Sequence, residues 1–267
     1  MRSQNLRISV IMGMYNCEST IAEAIDSLLN QSYKRFRIIL CDDGSTDNTY
    51  NIAKKYSERF SSITLLKNEC NKGLNYTLNR CLMKADTEYI ARMDGDDISL
   101  PDRFQKEIEF LDRNPDIAIV SCPMIYFDEN GDFKVGKNNI PYPEISDFIH
   151  GTPFCHAPCM VRREAYIAVN GYTENKRLLR VEDYHLWFKM YAIGYRGHNL
   201  DEPLYKMRDD RNAFKRRTFR NRLNEAYVRH IGYRMLRLPF YTQIYALRPI
   251  ILGLLPNWLY SYLHKNK

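Results

Sequence analysis

Short apolar segments alternate with amphipathic segments along the first half of this chain, and this alternation restricts the possible folds more than any other feature. β-Branched residues in the apolar segments indicate strands, and apolar residues at helical spacing between them indicate helices. The predicted strands are residues 7–12, 36–41, 63–66, 89–93 and 117–122. The predicted helices are residues 21–29, 48–59, 74–85 and 102–113. Such an order is typical of right-handed βαβ units, so we predict an α/β fold with a mostly parallel sheet flanked by helices.

Three local signals mark where these helices begin. Thr20 and Glu23 have the spacing of a capping box, Asp47 is a good N-cap residue, and Pro101 favours the first turn of a helix. We therefore predict that the side chains of Thr20 and Asp47 accept hydrogen bonds from the backbone of the helices that follow them.

Composition favours one large globular domain, alone or with a short tail. The 267 residues are 45% hydrophobic, but no window approaches the roughly 18 consecutive apolar residues of a membrane-spanning helix. We expect neither a signal peptide nor a transmembrane segment. The seven cysteines are scattered and mostly have apolar neighbours, which favours buried thiols in a reducing compartment.

The positive charge is concentrated at the C-terminal end. Residues 205–267 carry 14 Lys or Arg against 3 Asp or Glu, a net charge of +11, whereas residues 1–204 carry 25 against 29, a net charge of −4. We therefore predict a domain over residues 1–210 and a basic tail over 211–267. Such a tail suits an anionic partner, whether a phosphate-bearing ligand, a membrane surface or a nucleic acid.

Residues 214–237 of this tail predict a basic amphipathic helix. Its apolar positions repeat every four residues: Phe219, Leu223, Tyr227, Ile231 and Met235. A second apolar segment follows from Ile250 to Tyr260, too short to span a bilayer and rich in aromatic residues. These features predict peripheral binding to an anionic membrane. The alternative is that the apolar stripe packs on the domain and the arginines are solvated.

Acidic and polar side chains follow three of the predicted strands. Tyr15-Asn16 follows the first, residues 42–47 follow the second, and residues 94–97 follow the fourth. Ligands of such sheets bind beyond the carboxyl ends of the strands, so we expect these clusters to meet at one edge. Converging carboxylates repel each other unless a cation compensates them, which predicts a divalent metal such as Mg²⁺ or Mn²⁺. A glycine-rich dinucleotide motif and a P-loop are both missing from the sequence.

Several blocks in a fixed order carry a resemblance to a known family. ISVIMGMYN, LLNQSYKRFRIILCDDGSTDNT, NKGLNYTLN and KADTEYIARMDGDDISLPDRFQKEIEFL resemble successive blocks of the family 2 glycosyltransferases, which are inverting enzymes with the GT-A fold. The resemblance is dense over about residues 6–125 and thinner to about residue 210. It implies a GT-A domain that transfers a sugar from a nucleotide donor.

The resemblance also implies roles for individual residues. Tyr15 would stack on the nucleotide base and Asp43 would hydrogen-bond the base edge. Lys72, Gly73 and Arg92 would line the nucleotide-sugar pocket. The alternative for Lys72 is a solvated loop lysine.

Asp94 and Asp96 match the acidic motif that binds the metal ion and the donor, with Asp96 the more direct ligand of Mn²⁺ or Mg²⁺. Arg208 stands where relatives carry a segment that helps to hold the diphosphate, although the residue types differ here, which leaves this contact open. A cation at this position could serve the same purpose.

The second half of the site is assigned from two shorter matches. His156 would touch the donor sugar or the acceptor, the alternative being a hydrogen-bonded core histidine. Glu182 and Asp183 match an acidic pair at a helix start, where a carboxylate can also serve only to stabilise the helix dipole. We assign Asp183 as the catalytic base and Glu182 as the residue that orients the site.

Together these inferences predict a metal-dependent, inverting hexosyltransferase of the bacterial O-antigen type. We expect a UDP-hexose donor, a glycan or lipid-linked acceptor, and a cytoplasmic location on the inner face of the membrane. No nucleic acid partner is expected. Two alternatives stay open: a basic nucleic-acid-binding protein, and an inactive sensor of nucleotide sugars.

Overall fold

The computed structural model describes residues 6–136, 140–209 and 218–254, and the structural statements below concern these ranges. The strands are β1 (Ile8–Met14), β2 (Phe36–Asp42), β3 (Ile63–Lys67), β4 (Tyr89–Asp94), β5 (Ile98–Ser99), β6 (Ile119–Ser121), β7 (Met124–Asp128), β8 (Gly131–Val135), β9 (Met160–Arg162), β10 (Gly197–Asn199) and β11 (Tyr205–Arg208). The helices are α1 (Ile21–Leu29), α2 (Thr49–Arg59), α3 (Leu74–Leu82), α4 (Arg103–Arg113), α5 (Arg163–Ala168), α6 (Glu182–Ala192), α7 (Phe219–Met235), α8 (Gln243–Ala246) and α9 (Arg248–Leu254).

The main sheet has the strand order β10-β6-β9-β4-β1-β2-β3, and a second sheet has the order β5-β11-β7-β8. The predicted α/β fold with a mostly parallel sheet is confirmed. One strand, β9, runs antiparallel to both of its neighbours, β4 and β6, which the sequence pattern did not predict.

Strand β1 lies between β4 and β2 in the main sheet and runs parallel to both. The carboxyl ends of these three strands are aligned. Gly13 is paired with Cys41 of β2 and with Asp94 of β4, and Met14 is paired with Asp42. Three neighbouring strands therefore end at the same level, as the sequence predicts. The polar residues that follow them share one edge of the sheet.

The predicted capping box at α1 is wrong. The side chain of Thr20 makes no cap hydrogen bond to α1. Its hydroxyl instead donates to the carbonyl oxygen of Gly95 at 2.9 Å and so ties α1 to the acidic turn after β4. Asp47 does accept a hydrogen bond from the backbone N–H of Thr49 at 3.0 Å, although the N-cap residue of α2 is Asn48.

Helix α7 packs on α6 and shares its core. Val228 and Tyr233 belong to the same buried cluster as Trp187 and Phe188 of α6. A methyl group added to Gly232 would lie 2.2 Å from a carbon of the Phe188 ring, so the two helices touch at this point without space for a side chain. The predicted helix is therefore present, and it is an integral part of the core.

The face that α7 buries differs from the predicted apolar stripe. Phe219 and Leu223 of that stripe are exposed, whereas Arg222, Val228 and Arg229 are buried. The start of the stripe meets α9, since Phe219 lies against Gly253, whereas Tyr227, Ile231 and Met235 are partly buried against the core. The proposed domain boundary at residue 210 falls among residues outside the described ranges and stays a prediction.

No helix among the described residues combines the length and the apolar character needed to cross a membrane. The segment from Trp258 to the C-terminus, part of the predicted membrane anchor, also lies outside the described ranges. All seven cysteines are within them and none forms a disulfide.

Candidate active site

A loop between β3 and α3 encloses the carboxylate of Asp43. Its Oδ1 atom accepts hydrogen bonds from the backbone N–H of Lys72 at 2.8 Å and from the side chain of Asn68 at 2.7 Å, and Oδ2 accepts one from the N–H of Gly73 at 2.9 Å. Asp43 therefore fixes the loop beside the end of β1. Lys72 is exposed and contributes its backbone here, as the solvated-lysine alternative implies.

The ring of Tyr15 lies across the cleft from this loop. Tyr15 is 48% exposed, so a large part of it is accessible to a ligand. Tyr15, Asp43 and Gly73 line one cavity of about 410 Å³ together with Glu182. The structure thus brings together the two residues predicted to bind the base.

The acidic turn after β4 presents two carboxylates of different character. Asp94 accepts a hydrogen bond from Nη2 of Arg92 at 2.6 Å, within an ion pair whose arginine side chain is 5% exposed. Asp96 is exposed, yet partial desolvation by the surrounding protein and the charge of Asp94 raise its pKa above the ordinary value. Arg92 thus lies beneath the cleft, where it supports Asp94, and the cavity wall is formed by other residues.

This turn fits a divalent cation held mainly by a diphosphate ligand. Among the described residues no group of three or more His, Cys, Asp or Glu converges as a closed metal cage. Two carboxylates two residues apart suit Mg²⁺ or Mn²⁺, which usually takes one or two carboxylates and fills its remaining positions with water and phosphate oxygens. Desolvation, and then the charge of Asp94, raise the pKa of Asp96, and a bound cation would offset both.

The second sheet supports the turn from below. Tyr205 of β11 accepts a hydrogen bond from the N–H of Asp94 at 3.2 Å, and buried Asp97 accepts one from the N–H of Arg208 at 2.8 Å. The guanidinium of Arg208 donates to the carbonyl of Asp96 at 3.0 Å and pairs with Glu23. Arg208 therefore stands beside the acidic turn.

A buried ion pair in α4 extends this support, and the sequence analysis missed it. Arg103 and Glu107 are both fully buried, 3.2 Å apart, and Arg103 also donates to the carbonyl oxygen of Arg92 at 3.0 Å. Burial raises the pKa of Glu107 to about 7. Charged residues four apart in a helix usually indicate a solvated face, so only the packing shows that this pair holds β4.

His156 lies beside Arg92 and is partly buried. Its Nε2 atom lies 2.8 Å from the hydroxyl of Tyr172. Burial, and then the charge of Arg92, lower the pKa of His156 well below its usual range, so the ring is neutral. It is not among the residues that line the described cavities next to Asp96, which matches the alternative of a hydrogen-bonded core histidine.

The acidic pair at the start of α6 faces the cleft. Burial, followed by the charge of Glu182, raises the pKa of Asp183 to about 7, and burial also raises the pKa of Glu182. A carboxylate with a pKa near neutrality is about half ionised at pH 7, and its ionised form can accept a proton from a hydroxyl group. This is a property expected of a general base.

Three adjoining cavities connect these groups. Asp96 and Asp183 line one cavity of about 720 Å³, and Asp94, Asp96 and Tyr15 line another of about 330 Å³. The first cavity shares Arg180 and Asn221 with the cleft of Tyr15 and Asp43. One continuous groove therefore runs from the predicted base site, past the acidic turn, to the predicted catalytic base.

Two residues of this groove were missed by the sequence analysis. Arg180, which precedes α6, has a left-handed backbone with φ of 68°, unusual for a residue other than glycine. Asn221 comes from α7, which the sequence assigned to a separate tail. Arg180 stands two residues before the acidic pair and Asn221 stands near no motif. Neither residue belongs to a motif itself, so only the packing of α7 on α6 brings them into view.

Comparisons with known proteins find glycosyltransferases. The sequence profile described as glycosyl transferase family 2 matches residues 9–169. EpsE of Bacillus subtilis (strain 168) is 44% identical over 263 residues, which are 98% of this chain and 94% of EpsE. The UDP-Glc:alpha-D-GlcNAc-diphosphoundecaprenol beta-1,3-glucosyltransferase WfaP of Escherichia coli is 30% identical over 200 residues, 73% of this chain and 74% of WfaP.

Solved structures share the fold. S. aureus TarS 1-349 in complex with UDP-GlcNAc superimposes with a TM-score of 0.70 at 18% identity, covering 94% of this chain and 82% of that one. The chain spans 43% of the longer TarS structure. The architecture is thus that of the GT-A glycosyltransferases.

Proposed function

This chain belongs to glycosyl transferase family 2, and from that premise we propose that it transfers a hexose from a UDP-hexose to a glycan or lipid-linked acceptor, with inversion, in surface polysaccharide biosynthesis. The observation that carries the proposal is that Asp96 and Asp183 line one cavity, which adjoins the cleft of Tyr15 and Asp43. The names of WfaP and of the TarS complex support a UDP-linked sugar as donor. WfaP also supports a lipid-linked acceptor.

In the proposed reaction the carboxylate of Asp183 takes the proton from an acceptor hydroxyl. The acceptor oxygen forms a bond to the anomeric carbon of the donor, and the bond from that carbon to the diphosphate oxygen breaks. The electron pair of the broken bond leaves with UDP. A single in-line displacement of this kind inverts the anomeric centre.

The remaining site residues bind and orient the donor. Tyr15 stacks on the base, and Asp43 orders the loop of Lys72 and Gly73 while accepting from the base edge. Asp94 and Asp96 would hold Mn²⁺ or Mg²⁺, which when bound would supply positive charge for the diphosphate of the leaving group. Arg92 fixes Asp94, and Arg208 brings a positive charge to the same edge.

A panel of nucleotide sugars tests the donor assignment. We expect a UDP-hexose to raise the melting temperature in the presence of Mn²⁺ and not in EDTA, since binding at 100 times Kd stabilises the native state by about 2.7 kcal/mol. Stabilisation without any turnover would favour the inactive sensor. No response to any donor, together with steeply salt-dependent binding of arbitrary DNA or RNA, would instead favour the nucleic-acid-binding alternative.

We further propose that the protein acts in the cytoplasm, docked on the inner face of the membrane through the region of α8 and α9. Apolar side chains crowd the surface of this region, and Phe240 is 90% exposed. The exposed apolar residues are Phe240, Tyr241, Ile244, Tyr245, Leu247, Ile251 and Leu254. Exposed Arg234 and Arg237 lie just before them, which suits an anionic lipid surface.

Substitution of Phe240, Ile244 and Ile251 by serine is expected to reduce binding to phosphatidylglycerol vesicles by at least tenfold. Partial burial of three such side chains in lipid contributes on the order of 2–4 kcal/mol in total. Co-sedimentation at low salt measures this. The matched control replaces Met83, Ile167 and Ile193, which are equally exposed elsewhere on the surface.

Point substitutions are preferable to deletion of the tail from Pro239, because Thr242 and Ala246 are buried. Deletion would therefore disturb the packing of α7 as well. Equal loss in the control triple variant, or no sedimentation of the wild-type protein, would contradict membrane docking through this region.

A further inference from the structure

A chain of hydrogen bonds reaches the carboxylate of Asp43 from outside the groove. It begins at Arg80, in the last turn of α3. Arg80 lines a separate cavity together with Lys189, and this cavity shares no lining residue with the three cavities of the groove. Any effect of Arg80 on a ligand in the groove must therefore pass through other residues.

One buried side chain links Arg80 to Asp43. Nη1 of Arg80 donates to Oδ1 of Asn68 at 2.5 Å and to the carbonyl oxygen of Lys67 at 2.6 Å. Asn68 is 3% exposed, so its amide group must find its partners inside the protein. Its Nδ2 atom donates to Oδ1 of Asp43 at 2.7 Å and to the hydroxyl oxygen of Thr77 at 3.0 Å. We call Arg80, Asn68 and Asp43 the relay.

The charges at the two ends of the relay fix the orientation of the Asn68 amide. Its oxygen faces the guanidinium of Arg80, and its NH₂ group faces the carboxylate of Asp43. A flipped amide would place the NH₂ group against the cation and the oxygen against the anion. Arg80 therefore favours the orientation in which Asn68 donates to Asp43.

The relay also determines which oxygen of Asp43 is left for a ligand. A carboxylate accepts about four hydrogen bonds, two at each oxygen. Oδ1 accepts two, from Asn68 and from the N–H of Lys72. Among the described residues Oδ2 accepts one, from the N–H of Gly73. Oδ2 therefore keeps one position for a hydrogen-bond donor in the cleft that Asp43 lines beside Tyr15.

From these contacts we infer that Arg80 is a positioning residue for donor binding, which acts through Asn68 to hold the carboxylate of Asp43 with Oδ2 available to the nucleotide. The inference rests on the proposed function, because it takes the cleft of Tyr15 and Asp43 as the nucleotide site. Loss of Arg80 deprives the buried Oδ1 of Asn68 of its charged partner. The amide is then less constrained and holds Asp43 less firmly.

Arg80→Met is expected to weaken binding of a nucleoside diphosphate at least fivefold, because the charged hydrogen bond to Asn68 is lost. Calorimetry with UDP, GDP and CDP in Mn²⁺ identifies the tightest ligand of the wild-type protein, which then serves as the probe. Arg80→Lys keeps the charge and should retain part of the affinity. Lys84→Met is the control, since Lys84 is an exposed cation just past the end of α3, and it should change the affinity less than twofold.

A double variant distinguishes positioning through Asn68 from any other effect of Arg80. Asn68→Ala removes the hydrogen bond to Asp43 directly and should weaken binding at least tenfold. Because Arg80 acts through Asn68, adding Arg80→Met to Asn68→Ala should weaken binding less than twofold further. A fivefold loss in both backgrounds would overturn the inference, as would unchanged affinity of Arg80→Met. Arg80 is partly exposed, so its single variant tests the relay even if Asn68→Ala fails to fold.

Hydrogen exchange monitors the relay without any ligand. The N–H groups of Lys72 and Gly73 are bonded to Asp43, so Arg80→Met should speed their exchange several-fold while the amides of β1 stay protected. Binding of no nucleotide by the wild-type protein would contradict the proposed function, and unchanged exchange in Arg80→Met would then overturn the relay as well. Normal nucleotide affinity of Arg80→Met with faster exchange would contradict only the role of the relay in donor binding.

Discussion

Replacement of Asp96 by asparagine is expected to weaken Mn²⁺-dependent binding of the donor by at least 100-fold while the fold stays intact. The change removes one negative charge with little change of volume, and the exposed side chain of Asp96 supports no other described element. Calorimetry with the donor in Mn²⁺ and in EDTA measures the loss. Asp102→Asn serves as the control, because Asp102 is an exposed carboxylate a few residues further on.

Asp94→Asn should weaken donor binding similarly and, unlike Asp96→Asn, should also lower the melting temperature. The structure gives the reason: Asp94 accepts a hydrogen bond from Arg92, whose side chain is 5% exposed, and a buried arginine without its partner costs roughly 3 kcal/mol or more. Unchanged metal-dependent affinity in both variants would remove the metal assignment. Equal stability of the two variants would contradict the supporting role of Arg92.

Replacement of Asp183 by asparagine is expected to reduce kcat by about 10²- to 10⁴-fold, the usual contribution of a general base. Donor affinity should change little, since the residues that contact the base and the diphosphate are untouched. Because the pKa of Asp183 is raised to about 7, transfer by the wild-type protein should rise with pH through about 7 and level off above it. Steady-state rates from pH 5 to pH 9, with donor binding by calorimetry, measure both effects.

The raised pKa of Asp183 also has a consequence for stability. The carboxyl group of Asp183 is harder to ionise in the folded state than in the unfolded state. Its contribution to the stability of the folded protein is therefore fully present only below its ordinary pKa of about 3.8. This contribution is lost as the pH rises to about 7. We therefore compare the melting temperature of Asp183→Asn with that of the wild type at each pH. The difference should favour the variant more at pH 8 than at pH 5.

Glu182→Gln separates the two carboxylates at the start of α6. If Glu182 only orients the site, its variant loses less activity than Asp183→Asn. Its pH dependence should move below 7, because the charge of Glu182 no longer raises the pKa of Asp183. Near-normal turnover of Asp183→Asn with a severe defect in Glu182→Gln would exchange their roles.

Local patterns predicted most of the α/β core. The segments from β1 to α4 appear within a few residues of their predicted limits, because the spacing of apolar residues sets which conformation buries them. The joint position of Tyr15, Asp43, Asp94 and Asp96 was also predictable, since the carboxyl ends of neighbouring parallel strands share one edge. The roles of these residues remain predictions.

Long-range packing determined side-chain contacts that local sequence patterns could not predict. The hydroxyl of Thr20 holds the acidic turn instead of capping α1, and the ring of His156 lies within hydrogen-bond distance of the hydroxyl of Tyr172. In each case the partner is distant in the sequence, so no local spacing records it.

Sequence alone determined the fold class, the order of the strands and helices from β1 to α4, and the edge where polar groups gather, because these follow from periodicity and from the geometry of parallel strands. Only the tertiary structure decided which face of α7 is buried. The later part of the apolar stripe packs on the core, but its first two residues, Phe219 and Leu223, are exposed. The close fit of Gly232 on Phe188 accompanies the placement of Arg222 and Arg229 in the lining of the groove. Periodicity shows that a helix has an apolar side, whereas the shape of its neighbour decides how the helix packs.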